Sequence, residues 1–181
     1  ETPIPADVDA PTLAALVQAC CSINRLRSAE AVYEEVVKQA AEVLDAKSAS
    51  VLLFDRGSHE LVFTVAVGGA GDDLVGRRLS ADEGIAGQVV RTRRAVRIDD
   101  AVGHDNFCSK IDVESNLYTR CLMAAPLLSC DDVFGVLEVM NACGETYSFS
   151  ENDLAVLRVF AEIASSAIGH IERYERVRSA A

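Results

Sequence analysis

Six cysteines and one acid set among apolar residues carry the most reactive chemistry in this sequence. The cysteines are Cys20, Cys21, Cys108, Cys121, Cys130 and Cys143. None forms a C-x-x-C pair, so neither a zinc finger nor a small disulfide scaffold is indicated. They fit a reducing cytosol, where cysteine serves as a small buried hydrophobe. His104 and Cys108 stand four apart and could share a metal, but two ligands in a loop fall short of the usual four donors. Glu138, in "VLEVM", is an acid amid apolar neighbours, and such a residue needs a partner or a ligand. The third feature is "SADEGIAGQVV" (80–90), where Gly84 and Gly87 interrupt a helical pattern. Each costs about 1 kcal/mol relative to alanine.

Three uses for those glycines can be weighed. A phosphate-binding P-loop needs a lysine after the last glycine, and Gln88 stands there. The nearby "GGAGDDL" has Leu74 where a dinucleotide loop has its third glycine, and Asp72 and Asp73 would repel a pyrophosphate. An RNA-gripping G-x-x-G loop is opposed by Asp82 and Glu83 before it and by the lack of a basic residue inside it. Close packing beneath a pocket remains, with a backbone N–H near Ile85 or Ala86 open to a planar ligand.

The elements that must position these residues follow from periodicity. Residues 1–10 read as a flexible leader. Leu13, Leu16, Val17, Cys20 and Ile23 then recur at helical spacing to about Arg27. Ser28 is placed to cap a second helix carrying Val32, Val36, Ala40 and Val43. "ASVLLFD" and "ELVFTVAV", split by "RGSH", predict a hairpin. A brief strand at 77–79 leads to a short helix through "GIAGQVVRT", opened by a Ser80–Glu83 capping box, and "AVRI" returns to strand. Residues 99–118 read as a long irregular segment, a length that is usually functional. "CLMAAPLLS" and "VFGVLEVMN" are the strongest strands, and a Ser150–Asp153 capping box opens the last helix. Its stripe runs from Leu154 through Ile171 to Tyr174 and Val177, too far for one small domain to cover. A seam with a second copy, formed with the N-terminal helix, is the expectation. The fold class is α+β: an antiparallel sheet of five or six strands, helices on one face and a lid on the other.

Composition bounds the function. The net charge of −11 and pI near 4.7 oppose nucleic-acid binding. The one short basic run, Arg91, Arg93, Arg94 and Arg97, reads as a solvated edge beside Asp99 and Asp100. No uninterrupted apolar run approaches the roughly 20 residues of a membrane span, and "ETPIPADVDAPT" shows no secretory signal. A cytoplasmic location without membrane insertion is expected.

From about Ser28 to Tyr174 the sequence resembles a GAF domain, through "SVLLFD", "ADEGIAGQVVRT", "RIDDA", "TRCLMAAPL", "VFGVLEVMN" and "FSENDLAVL" in order. It is most similar to the GAF modules of cyclic-nucleotide phosphodiesterases and adenylyl cyclases, whose lid has the layout of "DAVGHDNFCSKIDVESNLYTR". The resemblance implies a leader and signalling helix at 1–27, a GAF domain at 28–174, and a long helix at 150–178 extending into a coiled-coil linker. It also implies a regulatory, dimeric module that binds a small molecule, a cyclic nucleotide, and relays to an output domain. The ligand would touch Ser50 and the Ile85–Ala86 backbone, with Cys108, Asp112, Ser115 and Thr119 along the lid and Glu138 reaching in from a strand.

The sequence departs from that family pattern in informative places. In the family's N-K…F-x-x-x-D-E signature, Asn141, Phe149 and Asp153 match, but Ala142 replaces the lysine and Leu154 the final glutamate. A Phe-Asp pair whose acid can read guanine appears as Ala66-Val67, which favours cAMP over cGMP. Other readings are a ligand-free dimerisation module and a sensor of another small molecule, including a tetrapyrrole. Bilin attachment usually pairs a lid cysteine with an adjacent histidine, whereas Ser109 follows Cys108. A methionine-sulfoxide reductase of this fold would need a cysteine where "GIAG" offers Ile85 and Ala86, so no enzyme activity, cofactor or metal is expected.

Overall fold

A computed structural model of the chain describes residues 8–69, 71–105, 118–130, 132–142 and 148–179. Helix α1 (Ala10–Ile23) starts where the Asp9 carboxylate accepts the Thr12 N–H at 2.9 Å. It stops at Asn24, earlier than the periodicity predicts, because the Asn24 side chain donates to the Cys20 carbonyl at 2.8 Å and closes the last turn. Helix α2 (Ala29–Val43) is capped by Ser28, whose Oγ accepts the Ala31 N–H. Strands β1 (Ala46–Asp55) and β2 (Glu60–Val67) form the expected hairpin. A single turn α3 (Gly71–Leu74) precedes β3 (Arg78–Ser80), then α4 (Gly84–Thr92) and β4 (Val96–Ile98). Strands β5 (Leu122–Ser129) and β6 (Asp132–Ala142) make the second hairpin, and α5 (Glu151–Ser179) ends the described chain.

The six strands form one antiparallel sheet in the order β3-β2-β1-β6-β5-β4. Side chains alternate between its faces. Val51, Met123, Leu127, Leu137 and Val139 face α1, α2 and α5, and pack on Ile23, Val36, Leu157 and Phe160. Leu52, Phe63, Leu122, Val136 and Met140 face the other way, against Leu74 and α4. Thr64 is an extra residue in β2: Val51 pairs with Val65 and Leu52 with Phe63. This bulge flips the parity of β2, so Phe63 and Val65 serve opposite faces.

The capping box expected for α5 is present. The Asp153 carboxylate accepts the Ser150 N–H at 2.7 Å and its hydroxyl at 2.8 Å, while Ser150 Oγ accepts the Asp153 N–H. By length and composition α5 could cross a membrane, but its apolar side from Val156 to Ile168 is buried in the domain core. Beyond that the stripe is uncovered, with Tyr174 65% and Val177 71% exposed.

Candidate functional site

The centre of the sheet carries a polar row on the face turned away from the long helices. Ser50 on β1 stands opposite Glu138 on β6, flanked by Ala66 on β2 and Ala124 on β5. Ser50 is fully buried, and its Oγ has no hydrogen-bond partner among the described residues. An unmet buried hydroxyl of this kind costs about 1–3 kcal/mol. Glu138 is 8% exposed, and no described residue hydrogen-bonds or ion-pairs with it. Burial pushes its carboxyl up from the usual 4.5 to about 7, because a charge loses its hydration there and meets no counter-charge among the described residues. The methyl groups of Ala66 and Ala124 offer the pair no polar partner.

Helix α4 lies over the same face. Ile85 and Ala86, each 4% exposed, pack in the cluster with Leu52, Val136 and Met140, the row's neighbours along the strands. The two glycines that brought attention to this helix have separate tasks. Gly84 has φ +72°, a left-handed backbone at the helix start. At Gly87 a Cβ would lie 2.6 Å from the Ala81 carbonyl oxygen, so the close approach is to the preceding turn rather than to the sheet or a ligand. The Ser80–Glu83 capping box does not form: Glu83 caps without a side-chain bond, and Ser80 Oγ instead accepts the Asp82 N–H at 3.2 Å. The positive φ of Gly84 sends the chain into the helix by another route.

The chain returns to the sheet through a clasp made by one side chain. Asn141 Oδ1 accepts the Arg120 N–H at 2.7 Å, and its Nδ2 donates to the Tyr118 carbonyl at 2.8 Å. Its own N–H donates to the Cys121 carbonyl, and its φ is +59°. Thr119 is held between these anchors and is buried. In the sequence Asn141 is a matching letter; its work as a clasp follows only from its position, with positive φ, in the last residues of β6. Arg97 is not the solvated edge that the basic run suggests. It donates to the Phe149 carbonyl at 2.6 Å and pairs with Asp99 and Glu151, tying β4 to the start of α5.

Of the residues anticipated around a ligand, the fold brings Ser50 and Glu138 into register, sets Ile85 and Ala86 over their face, and buries Thr119 at the entry to β5. Cys108, Asp112 and Ser115 lie outside the described residues. Ala66 occupies the row itself, where the phosphodiesterase-like pattern has an aromatic residue.

A sheet with helices on one face, a short glycine-started helix on the other, and a family profile matching residues 28–168 decide the classification. The chain belongs to the GAF domain family. This is a regulatory, small-molecule-sensing module. A probable 3',5'-cyclic phosphodiesterase of Caenorhabditis elegans is 25% identical over 160 residues, covering 83% of this chain and 22% of that protein. The cGMP-specific 3',5'-cyclic phosphodiesterase of Drosophila melanogaster is 26% identical over 106 residues, 54% of this chain and 10% of that protein. The chain thus spans a minor part of these relatives. Among solved structures, the GAF domain of a phosphoenolpyruvate-protein phosphotransferase from Coxiella burnetii superposes with a TM-score of 0.80 at 23% identity, covering 94% of this chain and 97% of that one. Free methionine-R-sulfoxide reductase from Neisseria meningitidis, in complex with its substrate, superposes at 0.76 with 18% identity, over 96% and 99% of the two chains. At these identities the structural likeness concerns the fold.

Proposed function

We propose that this GAF domain binds a cyclic nucleotide, cAMP in preference to cGMP, on the sheet face that holds Ser50 and Glu138. The observation that carries this reading is the buried polar row. Among the described residues Ser50 Oγ lacks a partner and Glu138 meets no counter-charge. A ligand with N–H and hydroxyl groups would satisfy both and recover part of their burial cost. The ligand class is supported by the relatives, one named a probable 3',5'-cyclic phosphodiesterase and another a cGMP-specific 3',5'-cyclic phosphodiesterase. The nucleotide preference rests on Ala66 and Val67, which offer no acid to the N1–H and 2-amino donors of guanine. Ile85 and Ala86 would present backbone to the base; Thr119, Cys108, Asp112 and Ser115 would surround ribose and phosphate.

The reading extends to signalling. Residues 1–27 serve as leader and signalling helix, 28–174 as the sensing domain, and 150–178 as a helix continuing into a coiled-coil linker. The module works as a cytoplasmic homodimer without catalysis of its own. The exposed Tyr174 and Val177 on α5, with Leu13 and Val17 on α1, support a helical seam between copies. Ligand binding would shift that seam only through different affinities for its two arrangements.

Isothermal titration with cAMP and cGMP tests the ligand, and Ser50→Ala should weaken whichever binds. No heat and no thermal shift with either nucleotide would leave a ligand-free dimerisation module as the better reading. Sedimentation of Tyr174→Glu/Val177→Glu tests the seam; an unchanged dimer would remove it.

A further inference from the structure

A cleft lies at the edge of the sheet, between β5 and α5. It has a volume of about 370 Å³ and is walled by Arg93, Arg94, Pro126, Leu154, Arg158 and Glu162. Leu154 packs against the helix-side core, and Ser50 and Glu138 are not among the residues that line this cleft. Its origin is a break in the sheet. The pairing of β4 with β5 ends at Val96 and Ala124, and Pro126 has no N–H with which to continue the ladder. The segment 93–95 therefore stands off β5, and α5 closes the gap from beneath. The Leu128 N–H is already taken by Ser165 Oγ at 3.0 Å. Neither position offers a donor to an added strand, so an occupant must be held by side chains.

Those side chains are arginines, in a protein of net charge −11. The basic run divides by use. Arg91 donates to the Ala81 carbonyl at 2.9 Å, and Arg97 is spent on Phe149, Asp99 and Glu151. Arg93 and Arg94 line the cleft. Arg94 has no ion pair among the described residues, and Arg93 Nη2 reaches Asp132 only at 3.9 Å. Arg93 ends α4 with φ +56°, the left-handed position that glycine or asparagine fills more cheaply. Arg158 lines the α5 wall with Glu162 one turn further on, and each of these two already has a polar or charged partner.

We propose that this cleft is a second ligand site, for a compact molecule carrying two or more oxyanion groups, phosphate or carboxylate. Guanidinium forks match both groups bidentately, and the apolar patch of Leu154 and Pro126 accommodates a small carbon body. The volume lies within the range of small-molecule sites. The site stands independently of any nucleotide at Ser50 and Glu138.

The test is calorimetric titration of the whole chain with inorganic pyrophosphate and with citrate at physiological ionic strength, using sodium sulfate as the non-specific control. At least one of the two should bind saturably, one per chain, and more tightly than sulfate. Arg93→Gly/Arg94→Gln should weaken that binding on the order of tenfold or more, as should Arg158→Gln. Glycine suits the left-handed position, so the double variant should melt no lower than the parent. Ser50→Ala, outside the cleft, should bind these probes as the parent does. Absence of saturable binding by both probes would overturn the proposal, as would affinity unchanged in Arg93→Gly/Arg94→Gln. Loss in Ser50→Ala with retention in the arginine variants would assign the anion to the sheet face and equally refute it.

Discussion

Replacing Glu138 by glutamine should stabilise the unliganded domain at high pH and leave it nearly unchanged at low pH. The carboxyl is buried on β6 between β1 and β5, and desolvation raises its pKa from 4.5 to about 7. An unfolded chain releases this proton near 4.5 and the folded chain near 7. Between those values the folded state holds more protons, so stability falls as pH rises through the window and levels off above 7. The shift corresponds to about 3 kcal/mol at full ionisation. Glutamine has the same shape and no ionisation. The gap between Glu138→Gln and the parent should therefore be below about 1 kcal/mol at pH 4.5, and grow to about 3 kcal/mol by pH 8.5. Urea denaturation of both proteins at these two pH values measures it, and effects of the other carboxylates cancel in the difference. Parallel stability profiles would refute the reasoning, because they would mean that the carboxylate ionises as easily folded as unfolded. A Glu138→Gln variant weaker than the parent at pH 8.5 would mean that a cation faces the carboxylate. A ligand donating a hydrogen bond to the carboxylate should narrow the gap.

Other perturbations test the supports around the site. Gly87→Ala gains helix propensity but drives a Cβ to 2.6 Å from the Ala81 carbonyl, and should lower stability by about 1–3 kcal/mol in urea titrations; a gain would show that α4 does not press on that turn. Asn141→Gly keeps the positive φ and removes both side-chain bonds, so hydrogen exchange at the Arg120 amide should quicken with a loss of about 1–2 kcal/mol, and unchanged protection there would disprove the clasp. Arg97→Gln should cost about 1–2 kcal/mol in thermal or urea unfolding, mostly from the orphaned Phe149 carbonyl, whereas Glu151→Gln should cost less than about 1 kcal/mol because its carboxylate is solvated. Equal losses from the two would place the energy in the ion pair instead.

How much of this was legible beforehand depended on the range of each interaction. Ser28 and the Ser150–Asp153 box announce helix starts within a few residues, and both do so in the fold. Strand alternation sorted Leu137 and Val139 from Val136 and Glu138 onto opposite faces. The Ser80–Glu83 box failed because the left-handed φ of Gly84 turns the chain there, and no local rule weighs that against the box.

The sequence by itself determined the α+β class, the hairpins, the long terminal helix and the isolation of Glu138 among apolar neighbours. All of these follow from side-chain period and short-range capping, which act within a few residues. Only the tertiary structure set Ser50 beside Glu138, since that pairing depends on the register of strands 88 positions apart. It alone divided the arginines of residues 91–97 between structural bonds and an open cleft. Their partners, Ala81, Phe149 and α5, reach them only when α4 and β4 are laid against the rest of the sheet. Contacts of long separation are specified by the packed core as a whole, which spacing along a chain does not record.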